Sequence, residues 1–288
     1  QIILRKMGLE PQGEPDLTEW KEFLERMGRA SEEINIGLVG KYAELQDAYK
    51  SINESLHQAA TYCDRKLNLI YIHSEKLTDE NVAERLGNLD GVVIAPGFGP
   101  RGIDGKLVAL KYCREHNMPT FGICLGMQCM VIEYARNVLG LTEANSTEMR
   151  PDTPDNVIDL MADQQGNIPK GGTMRLGAFA CRLAPDSLAA KAYGKTDISE
   201  RHRHRFEFNS DYRQRFEQAG MACTGSNPET GLVEVVELPD HDWYLGTQYH
   251  PEYQSTVLCP NPLFISFMQA AVKRHHSARN SAHHSANN

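Results

Sequence analysis

The feature that most constrains the fold of this chain is the regular alternation of short apolar runs with amphipathic stretches, which begins at Ile34. Apolar runs typical of buried strands occupy 34–39, 67–73, 91–95 and 120–123, and stretches with helical periodicity occupy 47–62, 78–86, 105–116 and the residues after 124. Four successive strand–helix units predict a mostly parallel sheet with helices on both faces. We therefore expect an α/β fold whose functional residues lie at the carboxyl ends of its strands.

The second half of the chain is predicted to add a β-rich portion to the same domain. Strand-like stretches lie near 172–183, 201–209 and 232–238, a further strand is predicted at 243–249, and 262–272 predicts a closing helix. The organisation predicted from these patterns is an interdomain linker with one helix at 1–33, one domain at 34–274 and a disordered polar tail at 275–288.

The run Gly122-Ile123-Cys124-Leu125-Gly126 has the spacing of the tight strand-to-helix turn that exposes the nucleophile of serine hydrolases. Because an apolar strand precedes it and an amphipathic helix follows, we expect Cys124 at a helix N-terminus. Unpaired helix amides and a nearby imidazolium stabilise a thiolate at such a position. The pattern predicts a nucleophilic cysteine. The alternative is one more buried structural cysteine, as we expect of Cys63, Cys113, Cys129 and Cys181.

The run His250-Pro251-Glu252 predicts the base that serves this nucleophile. The proline biases His250 toward an extended conformation, so the side chains of His250 and Glu252 are expected to leave the same face of the segment. The carboxylate can then orient the imidazole and stabilise its charge. Nucleophile, base and orienting acid are the three roles that covalent acyl transfer requires. The alternative is a structural ion pair at a strand end.

Composition excludes several classes of function. Thirty Lys and Arg residues against 38 Asp and Glu residues give a net charge of −8, which disfavours a nucleic-acid surface. No apolar run approaches the roughly 20 residues that cross a bilayer, so no membrane association is expected. Seven cysteines without a C-x-x-C pair predict reduced thiols in the cytoplasm. The start lacks Met and a signal-peptide layout, so we expect the chain to continue a longer polypeptide.

Neither a metal nor a phosphate site is predicted. His202, His204 and the histidine pairs near the C-terminus lack cysteine or carboxylate partners at ligand spacing. The glycine-containing runs at 97–99 and 102–106 do not satisfy G-x-x-x-x-G-K-[ST]. We therefore expect no cofactor to bind this chain.

The turn around Cys124, a nucleophile elbow, and the His250-Pro251-Glu252 run resemble those of the class I glutamine amidotransferases. Within that superfamily, the chain from about Pro11 to Val272 resembles the glutaminase domain of the CTP synthase family. In that family the glutaminase domain is the C-terminal part of the enzyme. Four stretches carry this narrower resemblance: 37–49, 144–148, 171–177 and 200–207. The resemblance implies a flavodoxin-like fold of the amidotransferase type. It also implies hydrolysis of L-glutamine through a Cys124 thioester, which would supply ammonia for ATP-dependent amination of UTP to CTP.

The resemblance also implies roles for individual residues. The amides of Gly97 and Leu125 would stabilise the oxyanion, and Gln128, Glu148 and Arg205 would hold glutamine, with Glu148 on its ammonium and Arg205 on its carboxylate. The planar guanidinium of an arginine suits a carboxylate. ATP, UTP and Mg²⁺ would bind an amidoligase domain absent from this chain, and the full enzyme would be a homo-oligomer.

One loop departs from the family pattern. The segment that commonly reads P-G-G-F-G in this family is Ala95-Pro96-Gly97-Phe98-Gly99 here, so Pro96 replaces a glycine and supplies no N–H. Gly97 is expected to keep its amide, on a stiffer loop.

Two other functions remain open. One is a cysteine hydrolase for other γ-glutamyl compounds or peptides, and the other is a non-catalytic regulatory module with a vestigial triad. Arg205 and Glu148 separate the first from a glutaminase, because a pocket that clamps a free amino acid at both ends excludes a peptide-linked one. The alternative for Arg205 is that it lies with Arg201 and Arg203 on one solvated strand face.

Overall fold

The structure, a computed structural model, describes residues 2–10, 13–160 and 174–286. The helices of these residues are α1 (Ile2–Lys6), α2 (Thr18–Arg29), α3 (Lys50–Tyr62), α4 (Val82–Leu86), α5 (Ile103–Glu115), α6 (Leu125–Asn137), α7 (Leu188–Tyr193), α8 (Arg213–Gln218) and α9 (Pro262–Ala286). The strands are β1 (Glu33–Gly40), β2 (Lys66–His73), β3 (Gly91–Ile94), β4 (Thr120–Ile123), β5 (Ile158–Leu160), β6 (Arg175–Leu183), β7 (Asp197–His204), β8 (Phe206–Phe208), β9 (Ala222–Ser226), β10 (Val233–Glu237) and β11 (Tyr244–Thr247).

The strands form one nine-stranded sheet in the order β2-β1-β3-β4-β11-β10-β9-β6-β7, and β5 pairs with β8 in a small second sheet. The first five strands of that order are parallel, and the remaining four continue the sheet in antiparallel pairs. The predicted α/β fold with a β-rich second half is therefore confirmed. The two halves share one sheet because β11 joins the parallel part to the antiparallel part.

The position of β11 decides where the site can lie. It pairs with β4 in parallel, with Thr247 opposite Ile123, and the amide of Cys124 donates to the carbonyl of Thr247 at 2.7 Å. Two segments that are far apart in the sequence therefore leave the sheet at the same edge. The loop after β3 leaves at that edge too, because β3 is the other neighbour of β4.

Two apolar cores cover the two faces of the sheet. One contains side chains of α4, α5, α6 and α8, and the other contains side chains of α3, α7 and α9. Within the described residues, no helix combines the length and the apolar character needed to cross a membrane.

The structure differs from the predictions at both ends of the chain. Helix α9 continues to Ala286, so the prediction of a disordered tail from His275 is wrong for the described part of that tail. The tail lacks an apolar stripe, but its polar side chains reach the domain: His275 contacts Asp90 at 2.9 Å and Arg279 donates to Glu32 at 2.7 Å. The segment before Ile34 contains two helices, α1 and α2, where one was expected. Gly171–Thr173 of the family stretch lie outside the described residues.

Candidate active site

Cys124 lies at the turn between β4 and α6. Its backbone has φ 52° and ψ −103°, a conformation that residues with a side chain rarely adopt. Gly126 makes the turn possible, since a Cβ atom at that position would lie 2.2 Å from the carbonyl oxygen of Ile94. The predicted strand–turn–helix arrangement is therefore present, with Cys124 immediately before the first helical residue.

A pair of glycines brings α6 close to the sheet. Gly122 of β4 and Gly246 of β11 are directly opposite each other in the parallel register. A Cβ atom at either position would lie less than 3 Å from the sulfur of Met130, which packs over both glycines. The missing side chains let the first turns of α6 approach the two strands whose ends carry Cys124 and His250.

His250 and Glu252 form a buried pair. The Nδ1 atom of His250 lies 2.7 Å from Oε1 of Glu252, and the two residues are 4% and 5% exposed. Pro251–Tyr253 form a short 3₁₀ helix, so the pair depends on a tight turn rather than on the extended segment expected. The ring of Tyr253 stacks on the imidazole at 4.7 Å. One ring nitrogen and one ring face of His250 are thus fixed.

The other ring nitrogen of His250 is directed to the nucleophile. Burial disfavours the imidazolium, but the charges of Cys124 and Glu252 outweigh burial and hold the pKa of His250 well above its usual value. Nε2 of His250 interacts with the Cys124 sulfur, and this interaction contributes to the raised pKa of the imidazole. The charged form of the imidazole is therefore favoured beside the Cys124 sulfur.

The loop from Ala95 to Gly99 is held at three points beside Cys124. The Nζ atom of Lys106, a residue only 2% exposed, donates to the carbonyl of Ala95 at 2.6 Å. Lys41 donates to the carbonyl of Phe98 at 2.5 Å. The amide of Gly99 donates to Glu148 at 2.9 Å. These bonds hold the Ala95–Pro96 and Phe98–Gly99 peptide groups, which lie one residue before and one residue after Gly97.

A small pocket joins this loop to the nucleophile. It is lined by Gly97, Phe98, Cys124, Gln128, Glu148, His204, Arg205 and Phe206. It therefore brings together four of the five residues expected to bind glutamine and the oxyanion. The fifth, Leu125, follows Cys124 directly, and its side chain would be 3.4 Å from a Cβ atom built on Gly97. His250 and Glu252 are not among the lining residues, and His250 interacts directly with Cys124.

The strand that precedes Arg205 alternates as expected. Arg201 and Arg203 are exposed, His202 and His204 are buried, and Arg205 is half-buried at the pocket. The guanidinium of Arg203 lies 5.9 Å from the ring centroid of Phe98, which ties the strand to the loop at the pocket mouth. Arg201 and Arg203 therefore lie on a solvated strand face, whereas Arg205 lies at the pocket.

Behind the pocket lies a buried polar cluster that we define as Arg175, His202, His204 and Glu234. Arg175 donates to Glu234 at 2.7 Å, and Nδ1 of His202 lies 3.0 Å from Nε2 of His204. Burial, together with the charge of Arg175, lowers the pKa of His202 to about 2 and that of His204 to about 3. Burial also raises the pKa of Glu234 to about 7, despite Arg175.

The two histidines of this cluster bind each other. Because the carbonyl of Phe206 can only accept, Nδ1 of His204 carries a proton toward it at 3.1 Å, and Nε2 of His204 then accepts from His202. Among the described residues, no three His, Cys, Asp or Glu side chains are grouped so as to hold a metal ion.

Three contributors to the site were not predicted from the sequence: Gln248, Lys41 and Lys106. The amide nitrogen of Gln248 lies 3.6 Å from the sulfur of Cys124. The signal in the sequence is a polar glutamine in the predicted apolar strand 243–249, two positions before His250, whereas nothing local distinguishes Lys106 from the other lysines of helices. Lys41 lies inside the family stretch 37–49.

Other cysteines differ from Cys124 in their surroundings. Burial raises the pKa of Cys63 to about 11, that of Cys129 to about 11 and that of Cys113 to about 12. Their thiols remain protonated near neutral pH, as structural cysteines do.

Comparison with known proteins places the chain in a family. Residues 44–270 match the family model of "Glutamine amidotransferase class-I". The chain is 62% identical over 275 residues to the CTP synthase of Bacteroides fragilis, covering 95% of this chain and 51% of that protein. It is 61% identical over 273 residues to the CTP synthase of Porphyromonas gingivalis, with the same coverage. The chain spans about half the length of these curated relatives.

A solved structure shows the same fold. The glutaminase domain of Trypanosoma brucei CTPS, solved with bound acivicin, superposes with a TM-score of 0.79 at 36% identity. The match covers 83% of this chain and 94% of the trypanosomal one. Together with the nucleophile elbow and the pocket, these matches lead to one conclusion: the chain belongs to the class I glutamine amidotransferase family.

Proposed function

We propose that this chain hydrolyses L-glutamine through a thioester on Cys124 and delivers the ammonia to the other half of a longer enzyme, which aminates UTP to CTP. The observation that carries the proposal is the convergence of Cys124, His250 and Glu252 at the ends of two adjacent parallel strands. The half-length match to CTP synthases supports the second part.

In the first half of the reaction, the Cys124 thiolate attacks the side-chain carbonyl carbon of glutamine. The carbonyl electron pair moves onto oxygen, and the amides of Gly97 and Leu125 donate to that oxyanion. The His250 imidazolium gives its Nε2 proton to the departing nitrogen as the C–N bond breaks. Ammonia leaves, and a γ-glutamyl thioester and a neutral imidazole remain.

In the second half, Nε2 of His250 takes a proton from a water molecule while the water oxygen attacks the thioester. The second oxyanion uses the same two amides. When it collapses, the C–S bond breaks with its electron pair on sulfur, which releases glutamate and restores the thiolate and imidazolium. Glu252 keeps Nδ1 of His250 protonated through the 2.7 Å contact, so Nε2 is the atom that exchanges protons.

The substrate is held at its amino-acid end by opposite charges. Glu148 takes the ammonium and Arg205 takes the carboxylate, and both line the pocket with Cys124. Both amide hydrogens of Gln128 are engaged, by Phe206 at 2.8 Å and by Gln248 at 3.2 Å. Gln128 can therefore contact glutamine only as an acceptor, through Oε1.

ATP, UTP and Mg²⁺ belong in this proposal to the amidoligase half that the chain does not contain, and the whole enzyme is a homo-oligomer. All seven cysteines are unpaired, which fits a reducing compartment such as the cytoplasm.

Ammonia release from glutamine tests the proposal. We expect Cys124→Ala to lower the rate by at least about 10⁴-fold, because removal of a nucleophile eliminates the covalent path. Cys129→Ala is the matched control, since Cys129 is a buried cysteine on the same helix, and it is expected to retain turnover. Equal rates for the wild type and Cys124→Ala would contradict the proposal. Faster turnover of γ-glutamyl peptides than of glutamine would favour the γ-glutamyl hydrolase alternative.

The rate is also expected to depend on the missing half. Ammonia has to reach a distant site without loss, so a loop that becomes competent only on engagement of the amidoligase half is physically sensible. We expect slow hydrolysis by the chain alone and faster hydrolysis when that half is added with its nucleotides. Equal rates in the two conditions would exclude this coupling.

A further inference from the structure

Gln248 lies between β11 and His250 and is completely buried. Its backbone amide donates to the carbonyl of Glu234 at 2.8 Å, which fixes the residue against β10. Its side chain lies between two residues of the site, with Oε1 at 3.2 Å from the amide nitrogen of Gln128 and Nε2 at 3.6 Å from the sulfur of Cys124.

The orientation of this side chain follows from its neighbours. The carbonyl of Phe206 can only accept, so the group of Gln128 that lies 2.8 Å from it is the NH₂ group. The second hydrogen of that NH₂ group is then available to Oε1 of Gln248. The oxygen of Gln248 faces Gln128, and its own NH₂ group must face the sulfur.

We propose that Gln248 positions the nucleophile, with its side-chain amide donating a hydrogen bond to the Cys124 sulfur that is strongest when the sulfur is a thiolate. This inference rests on the proposed role of Cys124. It adds to the site a residue that acts on the reacting sulfur itself. The donor stabilises the attacking form of the nucleophile and the thiolate that leaves when the thioester is hydrolysed.

The surroundings of the sulfur explain why such a donor matters. The carbonyl of Arg203 lies 3.9 Å from the sulfur and can accept only from a protonated thiol. That contact favours the thiol and repels a thiolate. The amide of Gln248 has the opposite preference, because a hydrogen bond to a charged group is stronger than one to a neutral group. The two contacts therefore act in opposite directions on the protonation state of Cys124.

The test is the pH profile of Cys124 alkylation by iodoacetamide, measured peptide by peptide with mass spectrometry in Gln248→Met and Gln248→Glu. Gln248→Met removes the donor at similar volume and is expected to move the midpoint up by about one pH unit. Gln248→Glu can still accept from Gln128 but replaces the donor with a negative charge beside the sulfur, so we expect a larger upward shift. In both variants kcat for glutamine hydrolysis should fall by about tenfold or more, with a smaller change in KM.

Gln58→Met is the matched control. Gln58 is a buried glutamine of α3 that accepts from Ser255 at 2.7 Å, outside the site. Gln58→Met should leave the midpoint of Cys124 alkylation unchanged. If the alkylation midpoint of Gln248→Glu equals that of the wild type, Gln248 only holds Gln128 and the inference is overturned. If Gln248→Glu does not fold, the midpoint of Gln248→Met decides the question in the same way. Alkylation is measured without glutamine, so the test of Gln248 does not depend on glutaminase activity. Absence of glutamine hydrolysis would refute the proposed function and leave the test of Gln248 valid.

Discussion

The two sides of the candidate active site are built in different ways. On the parallel side, Cys124 is positioned by backbone geometry: a left-handed turn, glycines where no Cβ atom fits, and an apolar core beneath. On the antiparallel side, His250, Gln248 and Arg205 lie next to buried polar side chains of β6, β7 and β10. The difference shows that backbone geometry and steric constraints set the place of Cys124 on its turn. Its proton partners need electrostatic surroundings, which only buried hydrogen-bonded groups supply.

A continuous set of hydrogen bonds links the two sides. His202 binds His204, and His204 binds the carbonyl of Phe206. Gln128 donates to the same carbonyl and also to Gln248. The set ends at the Cys124 sulfur. The buried polar cluster is therefore connected to the Cys124 sulfur through His204, Phe206 and Gln128, which line the pocket.

The largest effect is expected from breaking the ion pair of that cluster. Arg175→Met leaves the Glu234 carboxylate buried without its partner, which should cost about 3–5 kcal/mol of unfolding free energy at pH 8. Arg175→Met/Glu234→Leu should recover most of this loss, because replacing both charges removes the burial penalty. Denaturant unfolding measures both.

Arg182→Met is the control for that experiment. Arg182 lies on the same strand and pairs with Asp197 at 2.9 Å, but both side chains are more than 60% exposed. It should cost no more than about 1 kcal/mol. Similar losses for the two arginine variants would mean that the antiparallel side does not depend on its buried charges.

The next largest effect concerns the steric side of the comparison. Gly126→Ala places a methyl group 2.2 Å from the carbonyl oxygen of Ile94, so the turn has to move. A displacement of about 1 Å at a reacting group can cost about 100-fold in rate, and we expect at least that loss in glutaminase activity. Gly28→Ala in α2, where nothing lies within 4 Å, should leave activity unchanged. Full activity of Gly126→Ala would show that the turn tolerates a side chain.

The smallest effect is a change in pH dependence. The pKa values of His202 and His204 are lowered to about 2 and about 3, so below pH 6.5 the unfolded chain binds protons that the folded chain does not. Stability conferred by these neutral histidines is present above pH 6.5 and lost as the pH falls. From pH 7 to pH 6, two such groups cost about 1.4 kcal/mol.

His202→Gln/His204→Gln should remove that part of the pH response, measured as the unfolding free energy at pH 7 and pH 6. Glu234, with a pKa raised to about 7, contributes in the opposite direction, because its protonated form is favoured in the folded state as the pH falls. Glu234 is present in the wild type and in the double variant, so its contribution largely cancels when their pH responses are compared. An unchanged pH response would mean that the histidines take up protons in the folded chain.

The parallel half of the fold and the strained turn at Cys124 were predictable because local patterns encode them. Strand and helix periodicity predicted β1 to β4 and the helices after them, and the glycines around Cys124 marked the turn. Strands β5 and β9 were not predicted, since short strands in irregular surroundings carry little periodicity. Gln248 and Lys106 were missed because their roles depend on what lies opposite them in space.

The sequence by itself determined that a cysteine would stand on a strained turn and that a histidine and a glutamate two residues apart would accompany it, because steric and short-range constraints act between neighbouring residues. Only the tertiary structure decided that β11 lies beside β4, so that Cys124 and His250 leave the sheet together. It also decided which way Gln248 turns its amide. Both depend on contacts between segments far apart in the chain, and burial then sets the strength of the electrostatic interactions there.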